Sequence, residues 1–165
     1  MESTSADARL SVHHPDYIQL YSAATPNGIK VAAMLEELVD LKRSSGEPFS
    51  YEPHTIDIRK GESRTEWYAQ VAPHGKIPLL IDPKAKDGTC ISVFESGAIN
   101  LYLAEKYDEL LPHPDNVGQR TDTMKWLFWG STAMSSQCKL FGFYYRYCQH
   151  NLPCNSMMLQ LLDVI

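Results

Sequence analysis

Pro78 stands inside a run that otherwise reads as a strand, His74-Gly75-Lys76-Ile77-Pro78-Leu79-Leu80. Proline cannot donate to a ladder, so within sheets it is confined to edges, strand starts and interruptions. A sheet built on this chain must therefore break its hydrogen bonding beside Ile77. Further along, the apolar run Ile91, Val93, Phe94 gives way to a helical pattern at Glu95-Ser96-Gly97-Ala98-Ile99. That junction gathers a carboxylate, a hydroxyl and the N–H groups of a helix start. A helix start favours anions and Glu95 favours a cation, so a small zwitterion with adjacent amino and carboxylate groups fits there.

The rest of the chain alternates strands and helices. Tyr17-Ile18-Gln19-Leu20-Tyr21 alternates polar and apolar and predicts the first strand. Thr25-Pro26-Asn27-Gly28 reads as a turn before a helix, in which Val31, Met34, Leu35 and Leu38 make the apolar stripe. Ser44-Ser45-Gly46-Glu47-Pro48 closes that helix. A second strand, Tyr51 to Ile58, carries Pro53 and so belongs at an edge. The intervening crossover predicts a parallel pair. A short helix spans Ser63 to Val71 and ends at Ala72-Pro73. Lys76 to Ile81 and Thr89 to Phe94 read as strands, and their short polar connection ending in Asp87-Gly88 predicts an antiparallel hairpin. Ser96 to Tyr107 is a helix with Ala98, Leu101, Tyr102 and Glu105 on one stripe and Ile99 and Leu103 beside it. The order β-α-β-α-β-β-α is that of an α/β domain with a mixed sheet.

With 165 residues the chain suits one domain, or one domain and a fragment. Fifteen Lys and Arg against twenty Asp and Glu give a net charge of −5 with no basic block, which argues against nucleic acid or an anionic membrane as partner. No apolar run approaches the roughly 18 residues of a membrane span. Residues 1–16 read as a polar leader, unlike a secretory signal. Cys90, Cys138, Cys148 and Cys154 show neither C-x-x-C spacing nor a disulfide framework, so they read as reduced thiols of a cytoplasmic protein. His13, His14 and the tail histidines lack metal-ligand spacing, and no metal is expected. Leu111-Pro112-His113-Pro114 reads as a stiff linker. The expected division is 17–110, a linker 111–118, and a helical segment 119–165 in which Met124, Leu127, Phe128 and Ser131 step helically beside Trp126 and Trp129.

Four motifs in this order resemble a glutathione transferase, and within that family the nu-class and the fungal nitrogen-regulator-like proteins. They are Thr25-Pro26-Asn27-Gly28, Ala72-Pro73-His74-Gly75-Lys76-Ile77-Pro78, Phe94-Glu95-Ser96-Gly97-Ala98-Ile99, and Trp126-Leu127-Phe128-Trp129. The resemblance implies a thioredoxin-like N-terminal domain that binds glutathione, followed by an all-α domain that is incomplete here. A free thiol has a pKa near 8.5, so its thiolate must be stabilised at neutral pH. The resemblance implies that Thr25 and Asn27 do this, in place of the Tyr or Cys of other classes, with Ser22 as the alternative. Thr and Asn are also favoured helix caps, and the two roles are compatible.

The resemblance further implies a cis Ile77–Pro78 bond that turns the Ile77 backbone toward the cysteinyl residue of glutathione, although an X-Pro bond by itself favours trans. It places Lys76 and His74 at the glycyl carboxylate, where the family more often has Asn at the position of His74. It assigns the γ-glutamyl head to Glu95 and Ser96; the plainer alternative makes Ser96 an N-cap and Glu95 a helix-start charge. Arg146, between Tyr145 and Tyr147, either lends a cation to the site or stacks at the surface. The implied activity is conjugation of glutathione to an electrophile or reduction of a disulfide, in a homodimer. No cysteine lies in the first-helix turn, which argues against glutaredoxin-type chemistry. The alternatives are a non-catalytic regulatory module and an inactive truncated product, the latter suggested by the nearly uncharged stretch after Pro153.

Overall fold

The computed structural model describes residues 16–47 and 49–137. The leader, the three cysteines from Cys138 onward, Arg146 and the segment after Pro153 lie outside the described residues. Two compact units divide the chain, Met1–Thr123 and Met124–Ile165.

The first unit holds strands β1 (Ile18–Ser22), β2 (Tyr51–Thr55), β3 (Leu79–Asp82) and β4 (Ile91–Phe94). Between and after them come helices α1 (Pro26–Ser45), α2 (Glu66–Val71) and α3 (Ser96–Tyr107), with a single 3-10 turn at Glu62–Arg64 before α2. The sheet order is β2-β1-β3-β4, with β1 and β2 parallel and the other two pairs antiparallel. This is a mixed sheet of the thioredoxin-like kind, with Pro53 on an edge strand as its missing N–H requires.

Strand alternation sorts the core into two layers. Ile18, Leu20 and Leu80 point to one face and meet Val31, Leu35 and Leu38 of α1 and Ile99 and Leu103 of α3. Tyr21, Leu79 and Ile81 point to the other and meet Tyr68 and Ala72 of the α2 region. Burying side chains of this size contributes about 1.5–3 kcal/mol each. The α1 stripe follows the expected spacing, with Met34 at its margin. The α3 stripe does not: its buried residues are Ser96, Ile99, Leu103 and Ala104, while Ala98 is exposed. Leu101, Tyr102 and Glu105 therefore flank the buried face. Tyr102 is turned aside by a polar partner.

That partner is Asp82, which is 1 % exposed at the end of β3. Its Oδ1 accepts the Lys84 N–H at 2.9 Å, and its Oδ2 accepts from the Tyr102 hydroxyl and from the Lys106 ammonium. Lys106 also donates to the Lys84 carbonyl. Burial and the neighbouring carboxylate both hold the Tyr102 hydroxyl in its protonated, donating form, with its pKa pushed well up. A buried carboxylate with three donors is satisfied, and it ties the hairpin to α3.

Some element bounds differ from the sequence expectation. β3 begins at Leu79, after Pro78, because the ladder cannot run through that residue. β2 stops at Thr55, where the chain turns into a loop closed by the Glu62 carboxylate on the Asp57 N–H at 2.7 Å. β4 begins at Ile91 rather than Thr89, whose hydroxyl and N–H are held by Asp87. Helix α4 (Val117–Trp129) starts inside the stretch expected as linker. In the second unit Trp126 and Trp129 pack edge to face, and both are exposed together with Phe128. Among the described residues, no helix is long and apolar enough to cross a membrane.

Replacing Asp82 with Ala removes the shared acceptor of Tyr102 and Lys106. Urea unfolding of that variant is expected to show a loss of about 3 kcal/mol, the usual cost of breaking a buried ion pair. A loss below about 1 kcal/mol would contradict this account of the hairpin's attachment.

Candidate functional site

Strand register decides which loops meet. Tyr21 of β1 lies opposite Leu79 of β3, and Leu79 lies opposite Phe94 of β4. The C-terminal ends of β1 and β4 and the N-terminal end of β3 therefore share one end of the sheet. The turn at Thr25, the Ile77–Pro78 bond and the turn at Glu95 all open there. β1 and β4 are two strand spacings apart, roughly 10 Å. The extended backbone of a tripeptide reaches about as far.

At the first turn, Thr25 is the N-cap of α1, and its hydroxyl oxygen accepts the Gly28 N–H at 3.2 Å. Its carbonyl accepts the Ile29 N–H at 2.8 Å. Pro26 has no N–H. The backbone donors expected for a thiolate at this helix start are thus largely committed to Thr25 itself, and the side-chain donors carried by this turn are the Thr25 hydroxyl and the Asn27 amide. Asn27 follows at the second helical position, half-buried. Ser22, the alternative, ends β1 and turns its hydroxyl toward the Ala23 carbonyl at 3.5 Å.

Gly28 is what lets this turn close. A Cβ there would stand 2.2 Å from the Ala23 oxygen and 2.4 Å from the Ser22 Oγ. Sequence reading treated Gly28 as part of a turn motif only. The available signal was a glycine inside the first turn of a helix, where its propensity is poor.

The middle segment is held by α2. Tyr68 is fully buried and donates its hydroxyl to the Lys76 carbonyl at 2.8 Å. The Ile77–Pro78 peptide bond is cis, as the resemblance implies. Ile77 stands just outside the ladder, which starts at Leu79. Pro78 is buried, and Lys76 is exposed without a side-chain partner among the described residues. Gly75 takes the left-handed conformation at φ 61°, which tightens the turn after Pro73 and sets its N–H on the Ala72 carbonyl.

At the third turn the plainer alternative, in which Ser96 caps the helix, does not hold. Glu95, not Ser96, is the N-cap of α3, and its side chain makes no capping bond. Its backbone sits at φ 74°, ψ 118°, a region that costs a residue with a Cβ of order 1–3 kcal/mol. Ser96 is the first helical residue, 5 % exposed, and its hydroxyl has no partner among the described residues. The Glu95 side chain is two-thirds exposed, and its Oε1 lies 3.6 Å from the His74 Nε2. The structure therefore brings Thr25, Asn27, Lys76, Ile77, Pro78, His74, Glu95 and Ser96 to one end of the sheet. Arg146 lies outside the described residues. Also among the described residues, no group of three His, Cys, Asp or Glu is placed to hold a metal ion.

Comparison with known proteins bears on the fold that carries these turns. Residues 45–105 match the family described as "Glutathione S-transferase, N-terminal domain". The disulfide-bond oxidoreductase YghU of Escherichia coli is 43% identical over 134 residues, covering 81% of this chain and 43% of the relative. A GST-like protein of Streptococcus mutans is 37% identical over 145 residues, covering 87% of this chain and 52% of the relative. The chain thus spans about half the length of these curated relatives. Among solved structures, a glutathione transferase family member from Pseudomonas fluorescens with two glutathione bound superposes with a TM-score of 0.83 at 28% identity, covering 98% of this chain and 66% of that one.

Gly28→Ala tests the first turn. The added methyl meets backbone at 2.2 Å, so the loop must shift. A loss of about 1–3 kcal/mol in thermal or urea unfolding is expected, despite alanine's better helix propensity. Equal or greater stability would show that the turn is not closed as described.

Proposed function

We propose that this chain, whose residues 45–105 match the N-terminal domain of the glutathione S-transferase family, binds glutathione along the end of the sheet and stabilises its thiolate for reduction of a disulfide. The observation that carries the reading is the convergence of three turns on that end, with Glu95 held in a conformation its residue type disfavours. Backbone outliers of this kind collect where a side chain must be aimed at a ligand.

The residues present fit the tripeptide from end to end. Glu95 offers a carboxylate to the γ-glutamyl ammonium. The Ser96 hydroxyl and the start of α3 receive the adjacent carboxylate, an anion at a helix N-terminus. Ile77, outside the ladder, offers its backbone to the cysteinyl residue. Lys76 is free to meet the glycyl carboxylate.

The sulfur then lies toward the turn after β1, where the Thr25 hydroxyl and the Asn27 amide donate to it. Donors already in place stabilise developing negative charge without a titrating base. When bound, glutathione supplies the nucleophilic thiolate. Among the described residues the single cysteine is Cys90, exposed in the hairpin connection before β4, whereas the Glu95 turn follows the other end of that strand. The disulfide reading takes its support from the Escherichia coli relative, a disulfide-bond oxidoreductase. Conjugation to a carbon electrophile is the second reading, supported by the family to which residues 45–105 belong.

Calorimetry and turnover separate binding from chemistry. Glu95→Ala with Ser96→Ala should weaken glutathione binding at least about tenfold, as expected for loss of hydrogen bonds to charged groups. Thr25→Ala with Asn27→Ala should keep most of the affinity while lowering turnover on a mixed disulfide by about a hundredfold. Undiminished affinity in the first pair, or undiminished turnover in the second, would overturn the respective assignment.

A further inference from the structure

We propose that His74 serves the γ-glutamyl end of the ligand, by orienting the Glu95 carboxylate, rather than the glycyl end where sequence resemblance puts it. The inference rests on the glutathione reading above and assigns one residue a different role within it.

The two nitrogens of the His74 ring stand in different surroundings. Nε2 faces the Glu95 Oε1 at 3.6 Å. Nδ1 is buried and has no hydrogen-bond partner among the described residues. The ring itself packs on Phe94, with centroids 4.8 Å apart. Phe94 is the residue immediately before Glu95 and the last of β4, so His74 is clamped to the turn whose side chain it faces.

The orphaned Nδ1 also bears on the tautomer. A buried N–H without an acceptor is costly, whereas a lone pair there forfeits less. The ring proton therefore belongs on Nε2, the nitrogen aimed at Glu95. A ring N–H in that position steers one carboxylate oxygen of Glu95. The other Glu95 oxygen has no protein partner among the described residues, and it remains for the ligand.

Glu95 needs such help. Its side chain is 67% exposed, and its strained backbone fixes where the side chain leaves the chain but not its outer torsions. Lys76, two residues beyond His74, is the exposed cation suited to the glycyl carboxylate. The two side chains of the His74-Gly75-Lys76 turn thus divide the ligand between its ends.

The test uses two ligands, glutathione and γ-glutamylcysteine, which lacks the glycyl residue. Calorimetry is run on the full chain and on His74→Leu, His74→Gln, Glu95→Gln and the His74→Leu/Glu95→Gln pair. His74→Leu should weaken both ligands by the same factor, about three- to tenfold, as loss of one positioning polar contact to the carboxylate predicts. His74→Gln, which keeps a donor, should recover most of that loss. In the Glu95→Gln background, His74→Leu should cost nothing further. A loss seen with glutathione but absent with γ-glutamylcysteine would return His74 to the glycyl end and overturn the proposal. So would full additivity of the two substitutions. Should His74→Leu fail to fold, imidazole nitrogen shifts of the unmodified protein decide: an unprotonated Nδ1 supports the proposal and an Nδ1–H overturns it. A chain that binds neither ligand would instead defeat the glutathione reading itself, and this inference with it.

Discussion

Leu79 pairs on both sides, with Tyr21 of β1 and with Phe94 of β4. That double pairing fixes the site, because it brings the ends of three strands level. Side chains alternate along a strand, so a slip of one residue would send Leu79 and Leu80 to each other's faces. Leu80 is packed under α1 and α3, and Leu79 is packed against Tyr68, both without exposure. The register is held by burial on two faces at once. The three functional turns inherit their spacing from it.

Each turn then carries a local departure from regular geometry that the surrounding core sustains. Gly28 allows α1 to start hard against the Ala23 carbonyl and the Ser22 hydroxyl. Pro78 ends the ladder one residue short of Ile77, whose backbone is left beyond the sheet while Tyr68 steadies the Lys76 carbonyl. Glu95 accepts a positive φ so that its carboxylate leaves the strand toward His74. At the opposite end of β3, Asp82 holds α3 by Tyr102 and Lys106. The far end is tied by polar bonds, and the near end is left with groups that a ligand can use.

The order of elements and the parallel and antiparallel pairings were legible from spacing, while the thioredoxin-like topology leaned on the family resemblance as well. Val31, Leu35 and Leu38 announce α1, and Pro53 announces an edge. The α3 face was misread because Leu101 and Tyr102 are apolar by type, whereas Tyr102 is drawn sideways by the buried Asp82, a long-range contact that no local pattern encodes. Ser96 looked like a cap because serine is a favoured one. The structure gives the cap position to Glu95, whose backbone is set by the strand before it.

Among the candidate residues, Thr25 and Glu95 were readable as helix-start groups from their neighbours in sequence. The closeness of His74 to Glu95 was not, since it depends on a turn and a strand end meeting across the sheet. Nor was the role of Gly28, since Ala23 and Ser22 crowd it only once β1 and α1 are in place.

Amide chemical shifts followed during titration with glutathione test the central claim most directly, because they report on all three turns at once. The account predicts concerted shifts at Thr25–Gly28, Gly75–Ile77 and Glu95–Gly97, with little change around Asp82–Ile91 at the other end of the hairpin. Shifts gathered at Asp82–Ile91, or confined to one turn while the other two stay silent, would contradict a single groove along the end of the sheet.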